Sequence, residues 1–318
     1  MTTAPEAQTS GNTLKIGIVG AGGVGAYFAA ALARAGHEVH VVATPRHIEP
    51  IRTNGIRVTK GDGSDGFTAR PASISTDAAD IGVCDAVVVA SKAGQVREAL
   101  LEAKALVGTD TAVLPLQNGV SATQQITDAV GAGHALGGVC LIISYLTEPG
   151  IVHHVGGQPS ITLGELNGKV TSRVERLAAA LSDARVQTTI SQHIAADMWR
   201  KFMLITSYGG VGALSREPVG RTRANPLSRS LVRDAMSEVA HLATAAGTPL
   251  DETDVEAMMR QYDTFDPSST SSMQRDLAAG RPSELDEQTG AVVRIAAQYG
   301  VPVPIHDTIY RALKLRDG

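Results

Sequence analysis

The chain has 318 residues, and the usual domain size of about 100–200 residues predicts two domains. Hydrophobic residues make up 43% of it, which is enough to fill two cores, and a net charge of −4 without a basic block argues against binding nucleic acid through phosphate contacts. The two cysteines, Cys84 and Cys140, lie far apart in apolar runs, which predicts neither a disulfide framework nor a metal site.

Two further features bear on location. No apolar run reaches the length of about 18 residues that a membrane span requires. Residues 1–12 are polar and lack the basic start and apolar stretch of a secretory signal, so we read them as a disordered tail. We expect a cytoplasmic protein that binds neither nucleic acid nor membrane.

The first elements of the chain predict a parallel βαβ unit. Residues 14–19 form a short apolar run, residues 20–25 are glycine-rich, residues 24–35 have an alanine-rich helix pattern and residues 37–43 are strand-like again. Strand, tight turn, helix and strand in this order are typical of a parallel sheet.

The next segments extend this sheet. Residues 85–90, after their first residue Asp85, and residues 112–116 are continuous runs of apolar residues, as strands covered on both faces require. Further strands are predicted at 136–143, 151–155, 161–163 and 186–190, with a helix at 174–181.

From residue 193 onward, helix patterns follow one another with few strand signals. Asn225 caps a helix that begins at Pro226 and ends at Gly247, and Ser283 is expected to cap a helix that ends at Gly300. Other helices are predicted at 251–262 and 305–315. The fold class is therefore α/β, with an N-terminal Rossmann-like dinucleotide-binding domain over residues 13–192 and a C-terminal all-helical domain over residues 193–318.

The glycine-rich string GAGGVG at residues 20–25 fits the pattern G-x-G-x-x-G. Because it follows a strand and opens a helix, it predicts a cradle for a dinucleotide pyrophosphate at the helix N-terminus. The residues expected to hold the cofactor here are Gly20, Gly22, Gly23, Val24 and Gly25.

The end of the second strand indicates which dinucleotide is bound. NAD sites usually carry Asp or Glu there, but this chain has Thr44 and Arg46 and no carboxylate. Both side chains could hydrogen-bond a 2′-phosphate, so NADP is favoured. A flavin is disfavoured, because FAD proteins with this glycine motif also carry an acidic residue at this position.

Further motifs occur in one order along the chain: Lys92 in the string VASK, QNG at 117–119, MWRKF at 198–202, SSM at 271–273, and Glu284. Together with the glycine turn, they resemble the ketopantoate reductase (2-dehydropantoate 2-reductase) family over nearly the whole chain. The resemblance implies NADPH-dependent reduction of 2-dehydropantoate to pantoate, in pantothenate biosynthesis.

The resemblance also implies roles for particular residues. Lys201 resembles the family's catalytic acid, which also contacts the substrate, and Glu284 the acid that helps to fix the cofactor and the lysine. Asn118 resembles the residue near the nicotinamide and the substrate. Ser272 resembles a contact of the substrate carboxylate, and Lys92 a lysine on the cofactor side.

These residue types suit the chemistry on general grounds. When a hydride reaches a ketone carbon, negative charge develops on the oxygen, and a lysine ammonium can stabilise that charge and donate the proton. A nearby carboxylate can position the ammonium and keep it charged until reaction.

The pattern departs from the family after the lysine. The family usually has Asn four and eight residues further on, where this chain has Ile205 and Gly209. On a helix these positions share the face of the lysine, so two polar contacts are lost. The residues Thr206, Ser207 and Tyr208 lie at other angles. A less polar pocket predicts a different 2-oxo acid, branched or aromatic.

Three interpretations therefore stay open: a ketopantoate reductase, a D-2-hydroxyacid dehydrogenase of the same family, and a nucleotide-sensing protein without turnover. Retention of Lys201 and Glu284 argues against the third. In each enzyme the partner is a small 2-oxo acid. The long alanine-rich helix at 226–246 could serve a homodimer interface as easily as a core. No metal is expected, because the adjacent His153 and His154 would point to opposite faces of a strand.

Overall fold

The computed structural model describes residues 13–61 and 66–317, so the predicted N-terminal tail lies outside the described residues. Contacts between residues divide the chain into two compact units. The first, called the sheet unit below, comprises residues 13–117 and 121–194, and the second, the helical unit, comprises residues 118–120 and 195–317. The sequence pattern had placed the division after residue 192.

The sheet unit alternates strands and helices. Its strands are β1 (Lys15–Val19), β2 (Glu38–Val42), β3 (Ile56–Lys60), β4 (Phe67–Ala69), β5 (Ser73–Ser75), β6 (Cys84–Val89), β7 (Val107–Pro115), β8 (Leu136–Leu141), β9 (Ser144–Glu148), β10 (Ile151–His154), β11 (Ser160–Glu165) and β12 (Gln187–Ile190). Its helices are α1 (Gly23–Arg34), α2 (Pro45–Asn54), α3 (Val96–Glu102), α4 (Ala122–Val130) and α5 (Ser172–Asp183), with short 3-10 turns at Ala78–Asp80, Ala93–Gln95 and Lys104–Leu106.

The main sheet has five parallel strands in the order β5-β2-β1-β6-β7. Strands β1 and β6 lie at its centre, and their Val and Ile side chains are almost fully buried. Parallel strands covered on both faces need such continuous apolar runs. The predicted α/β class with a Rossmann-like sheet is confirmed.

Two smaller mixed sheets complete this unit, in the orders β4-β3-β10-β9 and β12-β11-β8. The sequence pattern missed β3, β4, β5 and β9 as well as α2, α3 and α4. Several of these elements are short and partly exposed, so they carry little of the apolar periodicity on which sequence interpretation depends.

The helical unit contains α6 (Ile194–Ser215), α7 (Val219–Ala224), α8 (Pro226–Ala245), α9 (Glu252–Asp263), α10 (Ser272–Ala278), α11 (Thr289–Tyr299) and α12 (Pro304–Lys314). Its core is built around fully buried Phe202, Met236 and Tyr262. Asn225 caps α8 as predicted, accepting hydrogen bonds from the backbone N–H groups of Leu227 and Ser228. Helix α8 packs one face into this core.

One predicted helix begins later than expected. The Ser283 hydroxyl accepts a hydrogen bond from the backbone N–H of Leu285 and donates to Asp317 Oδ1 at 2.8 Å, so this serine forms a turn. Helix α11 starts only at Thr289, which leaves Glu284 in the turn before the helix instead of in its first turn. The sequence pattern also missed the short helices α7 and α10.

Among residues 13–61 and 66–317, no helix has the length and hydropathy that crossing a bilayer requires.

Candidate functional site

The glycine turn of the sheet unit is closely packed. Gly20 has φ +103°, and a Cβ there would lie 2.9 Å from the carbonyl oxygen of Ala90. A Cβ on Gly25 would lie 2.0 Å from the oxygen of Gly20, and one on Gly23 would lie 2.6 Å from Cα of Tyr145. These three glycines are therefore required by the fold itself, whatever the turn binds.

Gly22 is different. It is the N-cap of α1, with φ −71° and ψ −175°, a conformation open to any residue. A Cβ built on it would meet nothing within 4 Å. Packing therefore does not explain a glycine here, whereas close approach of a ligand to the backbone does. The helical hydrogen bonds begin with Ala26 N–H to Gly22 O, which leaves the first-turn N–H groups, including that of Val24, for an anion. The residues present fit a dinucleotide pyrophosphate.

At the end of β2, Thr44 is the exposed N-cap of α2 and Arg46 is exposed in its first turn. The next residue, His47, is only 3% exposed, and its Nε2 accepts a hydrogen bond of 3.0 Å from Arg46 Nε. Burial, and next the charge of Arg46, lower the pKa of His47, so the ring is a neutral acceptor. Sequence reasoning gave His47 no role, because only the fold buries it beside the guanidinium.

Lys92 follows β6 and is exposed at the start of the Ala93–Gln95 turn. The backbone just before it is held by Gln117, which is 8% exposed and donates from Nε2 to the carbonyl oxygens of Val89 and Ser91, both at 3.0 Å. Gln117 therefore fixes the path of the chain into Lys92. The sequence singled out the QNG string but did not give this glutamine a function.

In the helical unit, Lys201 lies well inside α6, and it is half-buried. Its neighbour Arg200 fixes this turn of the helix. The Arg200 guanidinium pairs with Asp197 at 2.9 Å and with Asp254, near the start of α9, at 2.7 Å. Burial opposes the charge of Arg200, but these two carboxylates raise its pKa overall, so the cation persists.

Asn118 and Glu284, far apart in the sequence, meet in the helical unit. The Asn118 amide nitrogen lies 3.5 Å from Glu284 Oε2, at the long limit of a hydrogen bond. A third residue joins them: Gln288 donates from Nε2 to the same oxygen at 2.9 Å. The sequence analysis gave Gln288 no role, although its spacing of four residues from Glu284 is a signal for contact.

The serines of the SSM string have different environments. Ser271 is buried and caps α10, accepting a hydrogen bond of 3.0 Å from the backbone N–H of Gln274. A Cβ on Gly209 would lie 3.1 Å from Ser271 Oγ, so the missing side chain of this glycine lets α10 approach α6 closely. Ser272, the residue expected to contact substrate, is the exposed first residue of α10.

One face of α6 carries Lys201, Ile205 and Tyr208, all half-buried. The expectation that Tyr208 lies at another angle is therefore wrong, because residues seven apart on a helix return to the same face. Thr206 and Ser207 are fully buried instead, and the Thr206 hydroxyl donates 2.8 Å to the backbone carbonyl one turn earlier. Neither hydroxyl therefore replaces the absent asparagines on the face of the lysine.

Tyr208 makes its end of this face aromatic. Its ring centroid lies 5.2 Å from that of Phe265 and 6.2 Å from that of Tyr262. Burial raises the pKa of Tyr208, against the opposing charge of Arg275, so its hydroxyl stays neutral. Beyond the ammonium, this surface offers mainly apolar contacts.

The adjacent histidines of β10 have separate surroundings. His153 Nδ1 lies 3.0 Å from Thr59 Oγ1, while the buried ring of His154 packs on Tyr27 at 5.1 Å between centroids. Over residues 13–61 and 66–317, no group of three or more His, Cys, Asp or Glu is placed to hold a metal ion.

A parallel sheet with a glycine turn at its first helix, followed by a helical unit, is typical of dinucleotide-dependent oxidoreductases.

The chain belongs to the ketopantoate reductase PanE/ApbA family. The family model described as Ketopantoate reductase PanE/ApbA matches residues 16–168, and the model of its C terminal part matches residues 193–317. The 2-dehydropantoate 2-reductase of Halobacterium salinarum is 32% identical over 277 residues, which is 86% of this chain and 89% of that protein.

Solved structures agree. The crystal structure of 2-dehydropantoate 2-reductase from Geobacter metallireducens is 32% identical, has a TM-score of 0.83, and covers 94% of this chain and 99% of its own. D-mandelate dehydrogenase with NADH and anilino(oxo)acetate, 24% identical with a TM-score of 0.83 over 95% of this chain and 98% of its own, shares the fold. The chain is thus an oxidoreductase that uses a nucleotide cofactor to reduce a 2-oxo acid.

Proposed function

We propose that this protein reduces 2-dehydropantoate to pantoate with NADPH, using Lys201 as the proton donor. The observation that carries the proposal is the meeting of Asn118 and Glu284, two residues 166 positions apart, in the helical unit that also holds Lys201. The sheet unit is proposed to hold the dinucleotide, and relatives that bear the name 2-dehydropantoate 2-reductase support this substrate.

The residues of the helical unit suit the proton-transfer half of this reaction. When bound, NADPH would supply the hydride that adds to C2 of the oxo acid as the carbonyl π bond breaks. Lys201 Nζ stabilises the negative charge that develops on the former carbonyl oxygen and gives that oxygen its proton, leaving a neutral amine. The carboxylate of Glu284 favours the charged form of the lysine before reaction.

NADPH is proposed over NADH because of the residues after β2. Thr44 and Arg46 are exposed there, and a carboxylate at this point would repel a 2′-phosphate. The neutral ring of His47 binds Arg46 through Nε, which leaves the two terminal nitrogens of the guanidinium for the phosphate.

A second candidate substrate is a less polar 2-oxo acid, branched or aromatic at the carbon next to the carbonyl. This candidate is favoured by Ile205, which shares the half-buried face of Lys201, and by Gly209, which offers no polar group. The enzyme would then be a D-2-hydroxyacid dehydrogenase of the same family. An apolar wall rejects an added hydroxyl only weakly, so both substrates could be turned over at different rates.

One assay ranks the candidates. Consumption of NADPH and of NADH is followed with 2-dehydropantoate, 2-oxoisovalerate and phenylglyoxylate, and binding of each dinucleotide is measured separately by fluorescence. The proposal expects the highest kcat/KM for 2-dehydropantoate with NADPH. A higher value for either of the less polar acids would favour the second candidate.

Tight NADPH binding without turnover of any acid would instead indicate a nucleotide sensor. Equal or better turnover with NADH would contradict the role given to Arg46 without affecting the role of Lys201.

A further inference from the structure

A buried glutamine lies against the carboxylate of Glu284. Gln288 is 2% exposed and precedes α11. Its side chain donates from Nε2 to Glu284 Oε2 at 2.9 Å, and its backbone N–H donates to the carbonyl oxygen of Glu284, also at 2.9 Å. The two residues are therefore joined by both backbone and side chain.

The orientation of the Gln288 amide follows from chemistry. An ionised carboxylate only accepts hydrogen bonds, so the N–H side of the amide must face Glu284. The other end, Oε1, is then buried without a hydrogen-bond partner. A buried acceptor without a partner costs stability, and an apolar side chain of similar length would avoid this cost. A purely structural role therefore does not account for glutamine at this position.

We propose that Gln288 is a positioning residue for the reduction, one that fixes Glu284 Oε2 in the place where Asn118 and the reacting groups need it. The proposal rests on the function proposed above. Oε2 is shared between Gln288 at 2.9 Å and Asn118 at 3.5 Å, so the stronger hydrogen bond is the one from the buried amide.

The hydrogen bond from Gln288 matters because the Glu284 carboxylate is within reach of solvent. Glu284 itself is only half-buried and lies in a turn, so water competes for its carboxylate. Without the Gln288 amide, Oε2 would be free to rotate towards water, and the groups that it holds would lose their alignment. Small misplacements of reacting groups lower kcat more than they affect KM when the substrate contacts remain.

The principal test is Gln288→Met, which keeps the length of the side chain and removes the donor. We expect kcat to fall by about 10- to 100-fold, as misaligned reacting groups do, while KM changes little. The melting temperature should stay the same or rise, because the unpartnered oxygen is removed. Gln298→Met is the matched control: it makes the same change at an exposed position of α11 and should alter neither quantity.

A second variant tests the hydrogen bond directly. Gln288→Glu places a carboxyl group where the amide was, and this group can donate to Glu284 only when protonated. The kcat of this variant, divided by that of the wild type at each pH, should therefore rise as the pH falls from 8 towards 5.5, a range of about 2.5 units over which carboxyl groups in apolar surroundings titrate. Loss of a merely structural contact would give a constant ratio.

The outcomes distinguish failure of the positioning role of Gln288 from failure of the proposed reductase function. A wild-type kcat for Gln288→Met, or the same loss of kcat accompanied by a lower melting temperature and a flat ratio for Gln288→Glu, would overturn the positioning role alone. Absence of turnover by the wild-type protein with every 2-oxo acid would overturn the proposed function, and this role with it.

Discussion

The sheet unit and the helical unit build their candidate sites in different ways. In the sheet unit, the residues expected to hold the pyrophosphate are consecutive, and what they offer is backbone: N–H groups at the start of α1 and the open space beside Gly22. In the helical unit, the site residues are side chains, contributed by α6, by the segment 118–120 and by the turn before α11. A site made of local backbone can be recognised from a short string of residues. A site made of distant side chains depends on how the helices pack.

Substitution of Lys201 tests the side-chain site of the helical unit and should have the largest effect on activity. General acid catalysis contributes about 10²- to 10⁴-fold, so Lys201→Ala should lower kcat by that factor while NADPH binding stays unchanged. Lys201→Arg keeps the charge but hardly releases a proton, so it should recover little activity. Stopped-flow kinetics and fluorescence titration measure the two quantities.

The control for the lysine variants is Lys169→Ala, at an exposed position of the sheet unit. An activity of Lys201→Ala within twofold of this control would remove the lysine from the mechanism.

Substitution of Gly22 tests the backbone site of the sheet unit. Gly22→Ala adds a methyl group in open space at a conformation that alanine adopts readily, so the melting temperature should not change. The added methyl group occupies the space into which a pyrophosphate would come, and Kd for NADPH should rise about tenfold or more, a loss of about 1.4 kcal/mol. Isothermal titration and differential scanning calorimetry measure the two effects.

Gly25→Ala is the contrasting variant, since its Cβ would lie 2.0 Å from the oxygen of Gly20. It should lose stability as well as binding. If Gly22→Ala binds NADPH as tightly as the wild type does, the glycine turn does not bind the pyrophosphate.

Ile205 tests the substrate specificity that distinguishes this chain from its family. Ile205→Asn places an amide on the half-buried face of Lys201, and one added hydrogen bond of about 1 kcal/mol should raise the kcat/KM ratio of 2-dehydropantoate over 2-oxoisovalerate by roughly fivefold to tenfold. Steady-state kinetics with both acids give the ratio.

The second missing asparagine cannot be restored in the same way. A Cβ at Gly209 would press on Ser271, so Gly209→Asn should lower the melting temperature by disturbing the start of α10. An unchanged substrate ratio in Ile205→Asn would show that this position does not contact the substrate.

The smallest expected effect concerns His47 and the way in which the free energy of unfolding depends on pH. Its pKa is lowered in the folded state by burial and then by Arg46, so the unfolded chain binds the proton more readily. The free energy of unfolding should therefore decrease as the pH falls below about 6.5, the pKa of a free histidine. His37, whose pKa is also lowered chiefly by burial, contributes with the same sign.

The variant His47→Gln removes one of these two histidines, so its free energy of unfolding should depend less on pH than that of the wild type. Thermal unfolding at pH 7.5 and 5.5 measures this difference. A larger loss of stability at pH 5.5 in the variant than in the wild type would contradict the role given to His47.

Particular elements show why some features were predictable and others not. The strand–turn–helix of β1 and α1 was recognised because its apolar run, its glycines and its alanine-rich helix are adjacent. The start of α11 was placed wrongly because Ser283, a good cap by type, uses its hydroxyl for Asp317, which is far away in the sequence. The environments of Gln117, His47 and Gln288 were missed for a different reason: glutamine and histidine are ordinary surface residues until the fold buries them.

The sequence by itself determined the first strand–turn–helix–strand unit, the glycine turn within it and the absence of an acid after β2, because these depend on neighbouring residues and on backbone conformation. Only the tertiary structure decided that Asn118 meets Glu284, that a buried glutamine holds the same carboxylate, and that Gly209 is needed by Ser271. Such contacts depend on where helices pack, and packing is set by many side chains acting together and not by any short string among them.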